Sequence, residues 1–125
     1  MIIDTDVIIW YMRGNNNAQK VINSFDSFAI SVVTYMELVQ GMRSKNELKE
    51  LRKALRTWNT TILYINEEIS AKAMFYVEQL YLSHTLKLAD ALIAATALVY
   101  SSPIITGNSK HYKAITNIEI HNFLP

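Results

Sequence analysis

Short apolar runs alternate with longer stretches of helical spacing along the whole chain. Apolar runs rich in β-branched residues predict buried strands, and apolar positions three or four residues apart predict amphipathic helices. Because the two kinds of segment alternate, the pattern favours a parallel sheet with helices on both faces. The predicted strands are residues 1–3, 28–30, 61–65, 103–106 and 118–120, and the predicted helices are residues 7–12, 18–25, 33–42, 45–58, 67–82 and 88–100, with a helical turn at 108–112.

Polar residues at the predicted strand ends indicate where a ligand would bind. Thr5 or Asp6 is the predicted N-cap of the first helix, and Ser31 the predicted start of the third. Asp4 follows the first strand and Asn108 follows the fourth. In parallel sheets, ligands bind beyond the carboxyl ends of the strands. Asp4 and Asn108 are therefore expected to lie at the ligand-binding edge.

Composition favours one folded domain spanning residues 1–125, since 50% of the residues are hydrophobic and only three are Gly and two Pro. The chain has no Cys, which excludes disulfides and Cys-based zinc sites. We expect no signal peptide, no membrane span and a cytoplasmic location, because the longest apolar run, residues 91–100, is far short of about 20 residues. His84, His111 and His121 lack metal-binding spacing, and the chain has no Gly-rich phosphate loop or nucleophile elbow.

Two aspartates interrupt the first apolar segment. A carboxylate in a core is costly unless a basic group or a metal ion pairs with it, and the first basic residue is Arg13. A divalent cation is therefore the leading explanation for Asp4, with a helix N-cap as the structural alternative. Asp6 is a supporting acid, a metal ligand or a charge favoured by the helix dipole.

Two further acids stand alone in apolar helices. Glu37 is the only charge in residues 33–42, and Asp90 the only charge in residues 88–100. Each is either a buried carboxylate that needs a cation or a structural group. The structural alternatives are a capping box from Thr34 to Glu37 and an N-terminal helix charge at Asp90.

A basic segment and one amide complete the candidate residues. Residues 43–56 carry six basic and two acidic side chains, a net charge of +4 in a chain whose total is +1. This segment is a solvated helix face or a surface for phosphates. Asn108 is a turn residue or an oxygen donor at the sheet edge. The candidate phosphate contacts are Arg43, Lys45, Lys49, Arg52, Lys53 and Lys110.

Four segments together resemble one known family. In order along the chain they are Ile2-Ile3-Asp4-Thr5, Ser31-x-x-Thr34-x-x-Glu37-Leu38-x-x-Gly41, Asp90-x-x-Ile93-Ala94-Ala95-Thr96-Ala97 and Ile105-Thr106-x-Asn108-x-x-His111-Tyr112. This set resembles the PIN domain, and more narrowly the VapC-type toxins of toxin–antitoxin pairs. The resemblance implies a three-layer α/β/α fold with a central, mostly parallel sheet of 4–5 strands.

The resemblance also implies an activity and its residues. The family acts as Mg²⁺- or Mn²⁺-dependent endoribonucleases, with Asp4, Glu37 and Asp90 falling on the metal-ligand positions. Asn108 falls on a catalytic position where many relatives have a fourth acid. Thr5 and Thr34 fall on positions where the family often has small polar residues that support the site. Asp6 and Thr106 are further candidate supporting residues. Implied partners are an RNA substrate, a cognate antitoxin and a second copy of the chain, with no membrane.

Three alternatives stay open from the sequence. The run Asp4-Thr5-Asp6-Val7 also resembles the first motif of haloacid-dehalogenase-type phosphatases, but no acid follows Asp90 until Glu119. A degenerate PIN-like module that only binds RNA or protein is the non-enzymatic alternative, and Asn108 is its best support. A housekeeping RNA-processing nuclease is the third.

Overall fold

The computed structural model describes residues 1–82 and 86–125, so His84 lies outside the described residues. Within these ranges there are five strands, six α-helices and one 3₁₀ helix, Ser109–His111. The strands are β1 (Ile2–Ile3), β2 (Phe28–Ser31), β3 (Thr60–Leu63), β4 (Ile104–Thr106) and β5 (Ile120–Asn122). The helices are α1 (Thr5–Met12), α2 (Asn16–Asn23), α3 (Val32–Gln40), α4 (Lys45–Thr57), α5 (Glu67–Leu80) and α6 (Leu88–Val99).

The strands form one all-parallel sheet in the order β3-β2-β1-β4-β5. Successive residues of β1 point to opposite faces, as the period of a strand requires. Ile3 packs into a core with α1, α2 and α4, whereas Ile2 packs into a second core with α5 and α6. The predicted fold class, a parallel sheet between two helical layers, is confirmed.

The sheet order positions the site. From β1 the chain runs outward through β2 to β3, and β4 then returns to the opposite side of β1. A crevice opens at the carboxyl ends of the strands where the order reverses in this way. The backbone N–H of Asp4 donates to the Ile105 carbonyl oxygen at 3.0 Å, which fixes the end of β1 against the end of β4.

Several predicted boundaries differ by one or two residues, as for α2 and β3, and two predictions need correction. The N-cap of α1 is Asp4, rather than Thr5 or Asp6. The last strand is Ile120–Asn122 rather than residues 118–120, because pairing with β4 sets its register, with Ile104 opposite Ile120. This strand lies at the edge of the sheet and is partly exposed, so it contains polar residues. The apolar pattern along the sequence therefore does not reach its end.

No helix within residues 1–82 or 86–125 combines the length and the apolar character that crossing a bilayer requires.

Candidate active site

Asp4 is the buried centre of the crevice, with 5% of its surface exposed. Its Oδ1 accepts a hydrogen bond from the Thr5 backbone N–H at 2.8 Å, so Asp4 does serve as the N-cap of α1. Its Oδ2 accepts from the Thr106 hydroxyl at 2.8 Å and from the Tyr112 hydroxyl at 2.9 Å. No basic side chain in the described ranges forms an ion pair with it.

Asp6 lies two residues after Asp4, in the first turn of α1. Its Oδ2 accepts a hydrogen bond from the Gly107 backbone N–H at 2.8 Å, which ties α1 to the loop after β4. Its Oδ1 is buried and has no hydrogen-bond partner among the described residues. A Cβ at position 107 would lie 2.6 Å from Asp6 Oδ2, so the close approach requires glycine there.

Thr5 connects Glu37 to this centre. The Thr5 hydroxyl lies 2.7 Å from Glu37 Oε1 and 3.0 Å from the Thr34 hydroxyl. Thr34 is fully buried, whereas Glu37 lies toward solvent. Since Ser31 is the N-cap of α3, Glu37 lies beyond the capping turn, and its contact with Thr5 places it beside the carboxyl end of β1.

Asp90 approaches from α6, and its side chain is 15% exposed. Its Oδ2 accepts a hydrogen bond from the Lys87 backbone N–H at 3.1 Å, so the structural role of an N-terminal capping carboxylate is present. The same oxygen lies 3.5 Å from Nδ1 of His111. Oδ2 of Asp90 therefore caps α6, and the negative charge of Asp90 also raises the pKa of Asp4.

Asn108 lies two residues beyond the end of β4, in the loop where the sequence predicted it. Its backbone N–H donates to the Thr106 hydroxyl at 2.9 Å, and its carbonyl oxygen accepts from the His111 N–H. The same Thr106 hydroxyl donates to Asp4, so Thr106 connects Asn108 to Asp4 through hydrogen bonds. Asn108 thus shapes the loop at the crevice, as a turn residue does.

The crevice is strongly electronegative. Burial raises the pKa of Asp4, and the charge of Asp90 adds to this, although hydrogen bonds from Thr106, Thr5 and Tyr112 oppose it. Burial also raises the pKa of Asp6 to about 6, with the Asp4 charge contributing. Burial and the same carboxylates raise the pKa of Tyr112, so its hydroxyl stays protonated. In all three groups burial is the largest cause of the shift, and neighbouring carboxylates add to it.

The donor chemistry of the crevice suits a hard divalent cation. Mg²⁺ is held by carboxylate and carbonyl oxygens and keeps several waters, so one or two direct carboxylates suffice. The carboxylate of Asp4, which the charge of Asp90 repels, supplies such oxygens. The Oδ1 of Asp6, which has no hydrogen-bond partner among the described residues, is another. Among the described residues, no three His, Asp or Glu side chains lie close enough to one another to enclose an ion. The residues therefore fit an open, water-rich site rather than a closed cage.

A groove of about 630 Å³ adjoins Glu37. It runs between the end of α1, the end of α3 and the first turns of α4. Its apolar side chains include Ile9, Leu38 and Met42. Charged groups at its margin are Arg13, Glu37, Arg43, Glu47 and Glu50.

The predicted basic residues lie in three different surroundings in the structure. Arg43 lies at the groove but is paired with Glu47 at 3.1 Å, which reduces its availability for a phosphate. Lys110 lies next to His111 in the 3₁₀ helix and is exposed. The remaining basic residues of α4 are exposed on the outer face of the helix, away from its buried Leu51 and Leu55. These are Lys45, Lys49, Arg52, Lys53 and Arg56.

Sequence reasoning assigned no role to two groups at the centre of the site. Tyr112 lies 108 positions from Asp4 and is fully buried, yet its hydroxyl contacts the Asp4 carboxylate. The Gly107 N–H binds Asp6 across a similar separation in sequence. A tyrosine in a predicted helical turn and a glycine after a strand gave no local signal of either contact.

The chain matches a known protein family over most of its length. A family model described as "PIN domain" matches residues 1–116. "Ribonuclease VapC" from Rickettsia bellii is 32% identical to the chain over 127 residues, which cover 96% of this chain and 93% of that protein. "Ribonuclease VapC1" from Methanocaldococcus jannaschii is 28% identical over 116 residues, with 92% of this chain and 80% of that protein covered.

Solved structures show the same fold. VapBC-1 from nontypeable Haemophilus influenzae matches with a TM-score of 0.78 and 27% identity, covering 97% of this chain and 96% of that one. A toxin–antitoxin complex from Klebsiella pneumoniae matches with a TM-score of 0.76 and 26% identity, covering 98% of each chain. VapBC2 from Rickettsia felis, bound to a promoter DNA fragment, reaches a TM-score of 0.81 at 18% identity over 98% of each chain and supports the fold alone.

Proposed function

Because this chain belongs to the PIN domain family, we propose that it is a VapC-type endoribonuclease, the toxin of a toxin–antitoxin pair, acting in the cytoplasm. Residues 1–125 act as one catalytic domain in this proposal. The relatives named as ribonucleases cover nearly the whole chain, and the matching solved structures include toxin–antitoxin complexes.

One observation carries the proposal. A carboxylate, Asp4, is buried at the switch point of a parallel sheet, under the repulsion of Asp90 and without a basic partner in the described ranges. A fold that needed only an N-cap would gain nothing from gathering further acids around it. The arrangement becomes favourable when a divalent cation binds there.

Asp4, Glu37 and Asp90 are the proposed metal ligands, some of them binding through the waters that such an ion keeps, with Asn108 beside them. A divalent ion bound there would supply positive charge at the scissile phosphate and a water of lowered pKa. Thr5 holds Glu37 beside Asp4 through its 2.7 Å contact, and Thr34 holds Thr5 from the buried side. Thr106 and Asp6 support the crevice from β4 and α1.

The protein's own residues orient the RNA for attack by water. Asp90 and Asp4 repel the phosphate backbone in the absence of a cation, so productive binding of RNA requires one. Lys110, beside the crevice, and the exposed basic face of α4 supply the attraction for phosphates. Since water rather than a 2′-hydroxyl is the nucleophile, the products carry 5′-phosphate and 3′-hydroxyl ends.

The antitoxin is proposed to occupy the groove beside Glu37. Apolar side chains at Ile9, Leu38 and Met42 suit the apolar face of a partner segment. Glu37 at the margin suits a basic side chain of that segment, which would then block the catalytic carboxylates. Met42→Asp is expected to weaken toxin–antitoxin binding at least tenfold in a calorimetric titration, whereas Lys20→Gln, on the exposed side of α2, leaves it unchanged.

The homodimer is proposed to form through α5. The buried face of this helix carries Ile69, Ala73, Tyr76 and Leu80, yet Met74 and Phe75 on another face are 60% and 56% exposed. Large apolar side chains exposed next to each other on a helix are typical of an interface. Light scattering is expected to give a dimer for the wild type and a monomer for Phe75→Glu.

Cleavage of end-labelled total RNA tests the nuclease proposal. The protein is incubated with Mn²⁺, Mg²⁺ or EDTA, beside Asp4→Asn and Asp90→Asn. Asp26→Asn is the matched control, because Asp26 is an exposed carboxylate before β2, at the opposite end of the sheet. Metal-dependent fragments with 5′-phosphate ends that vanish in the first two variants alone are expected. Fragments with 2′,3′-cyclic phosphate ends would contradict the mechanism, and RNA binding without cleavage in any metal would favour the binding module.

A further inference from the structure

The hydroxyl of Tyr112 has a role that packing does not explain. We propose that Tyr112 is a positioning residue which, with Thr106, holds Oδ2 of Asp4 so that Oδ1 is the oxygen presented to a divalent cation. The inference rests on the proposed function, because it specifies how one proposed metal ligand is held.

The ring of Tyr112 is fixed in place. The side chain is fully buried in the core formed with α5 and α6, where its neighbours include Ile93, Ile104 and Ile115. The backbone on both sides is also tied, since the Tyr112 N–H donates to Ser109 and the Ile115 N–H donates to the Tyr112 carbonyl oxygen, each at 3.0 Å. The hydroxyl therefore reaches Asp4 from a rigid base.

Packing alone would accept phenylalanine at this position. A buried hydroxyl costs free energy unless it finds a partner, so the core gains nothing from the extra oxygen. In this protein the partner is Asp4 Oδ2, at 2.9 Å, within the usual range for such a bond. An ionised carboxylate accepts hydrogen bonds and donates none, so the Tyr112 hydroxyl is the donor.

The two oxygens of Asp4 are then unequal. Each carboxylate oxygen has two acceptor positions. Oδ2 uses both, for Thr106 at 2.8 Å and Tyr112 at 2.9 Å, whereas Oδ1 accepts one bond, from the Thr5 N–H. The open acceptor position is on Oδ1, and the two hydroxyls prevent the carboxylate from rotating to exchange its oxygens. Groups that orient a metal ligand in this way commonly change metal affinity 10- to 100-fold when removed.

Calorimetric titration of the purified protein with Mn²⁺ alone tests the inference. Tyr112→Phe, which keeps the ring, is expected to weaken Mn²⁺ binding about tenfold or more. Thr106→Val is expected to do the same, and Thr106→Ser, which keeps the hydroxyl, to bind as the wild type does. Tyr100→Phe is the matched control, because Tyr100 is about half exposed, at the far end of α6. Urea unfolding in EDTA confirms that each variant is folded.

Failure of this inference and failure of the proposed function would give different results. Folded Tyr112→Phe that binds Mn²⁺ as tightly as the wild type would overturn the inference while leaving the proposed function intact. Should Tyr112→Phe fail to fold, the Thr106 pair decides, since equal affinities for the serine and valine variants would overturn it. If Asp4→Asn binds Mn²⁺ as the wild type does, Asp4 is not a ligand, and the proposed site falls together with this inference.

Discussion

Replacing Asp6 by asparagine should stabilise the protein at neutral pH, although it removes a residue of the crevice. The Asp6 carboxylate lies close to Asp4, and burial with this repulsion raises its pKa to about 6. Asparagine keeps an oxygen that accepts from the Gly107 N–H at the present 2.8 Å. The unpartnered Oδ1 becomes an amide NH₂ that is equally without a partner, so this cost cancels to first order.

The size of the effect follows from the pKa. The shift from 3.8 to about 6 corresponds to about 3 kcal/mol of unfavourable free energy for the charged form in the folded state. The side chain is partly exposed, and solvent screening reduces the expected gain of Asp6→Asn to about 1–2 kcal/mol.

The sign depends on pH. The folded protein holds the Asp6 proton more tightly than the unfolded chain does, so charging Asp6 destabilises the fold as pH rises from about 4 to about 6. The gain from asparagine is therefore complete above about pH 7 and disappears below about pH 4.

Urea unfolding in EDTA at pH 8 and at pH 4.5 measures this gain. Asp26→Asn, at an exposed carboxylate, controls for a general change of charge and should alter the free energy of unfolding little at either pH. The reasoning is refuted if Asp6→Asn destabilises the protein at pH 8, or if its gain is the same at both pH values.

Two further predictions test the crevice and the basic helix. Gly107→Ala places a Cβ 2.6 Å from Asp6 Oδ2 and 3.2 Å from the Phe123 carbonyl oxygen, so urea unfolding should show a loss of about 1–3 kcal/mol, and an unchanged midpoint would contradict the close approach. Exchanging Lys49 and Lys53 for glutamine should lower the slope of log RNA affinity against log salt by about 1.4, measured by fluorescence anisotropy, and an unchanged slope would exclude these two lysines as phosphate contacts.

Much of this architecture could be predicted from local patterns. Periods of 2 and 3.6 residues depend only on neighbours in sequence, so the order and type of the elements followed from the apolar positions. The isolated acids Asp4, Glu37 and Asp90 stood out because each interrupts an apolar segment. Local patterns failed at β5, where pairing with β4 rather than apolarity sets the register.

The sequence by itself determined the alternation of strands and helices, and it predicted that Asp4 and Asn108 follow the first and fourth strands, as they do. Only the tertiary structure decided what surrounds Asp4. Tyr112 and Thr106 reach it from more than a hundred residues away, because β4 lies beside β1 in the sheet. No local periodicity encodes which strands become neighbours, since that choice depends on how the whole chain buries its two apolar cores. The roles of Tyr112 and Gly107 therefore became visible only once the sheet order was known.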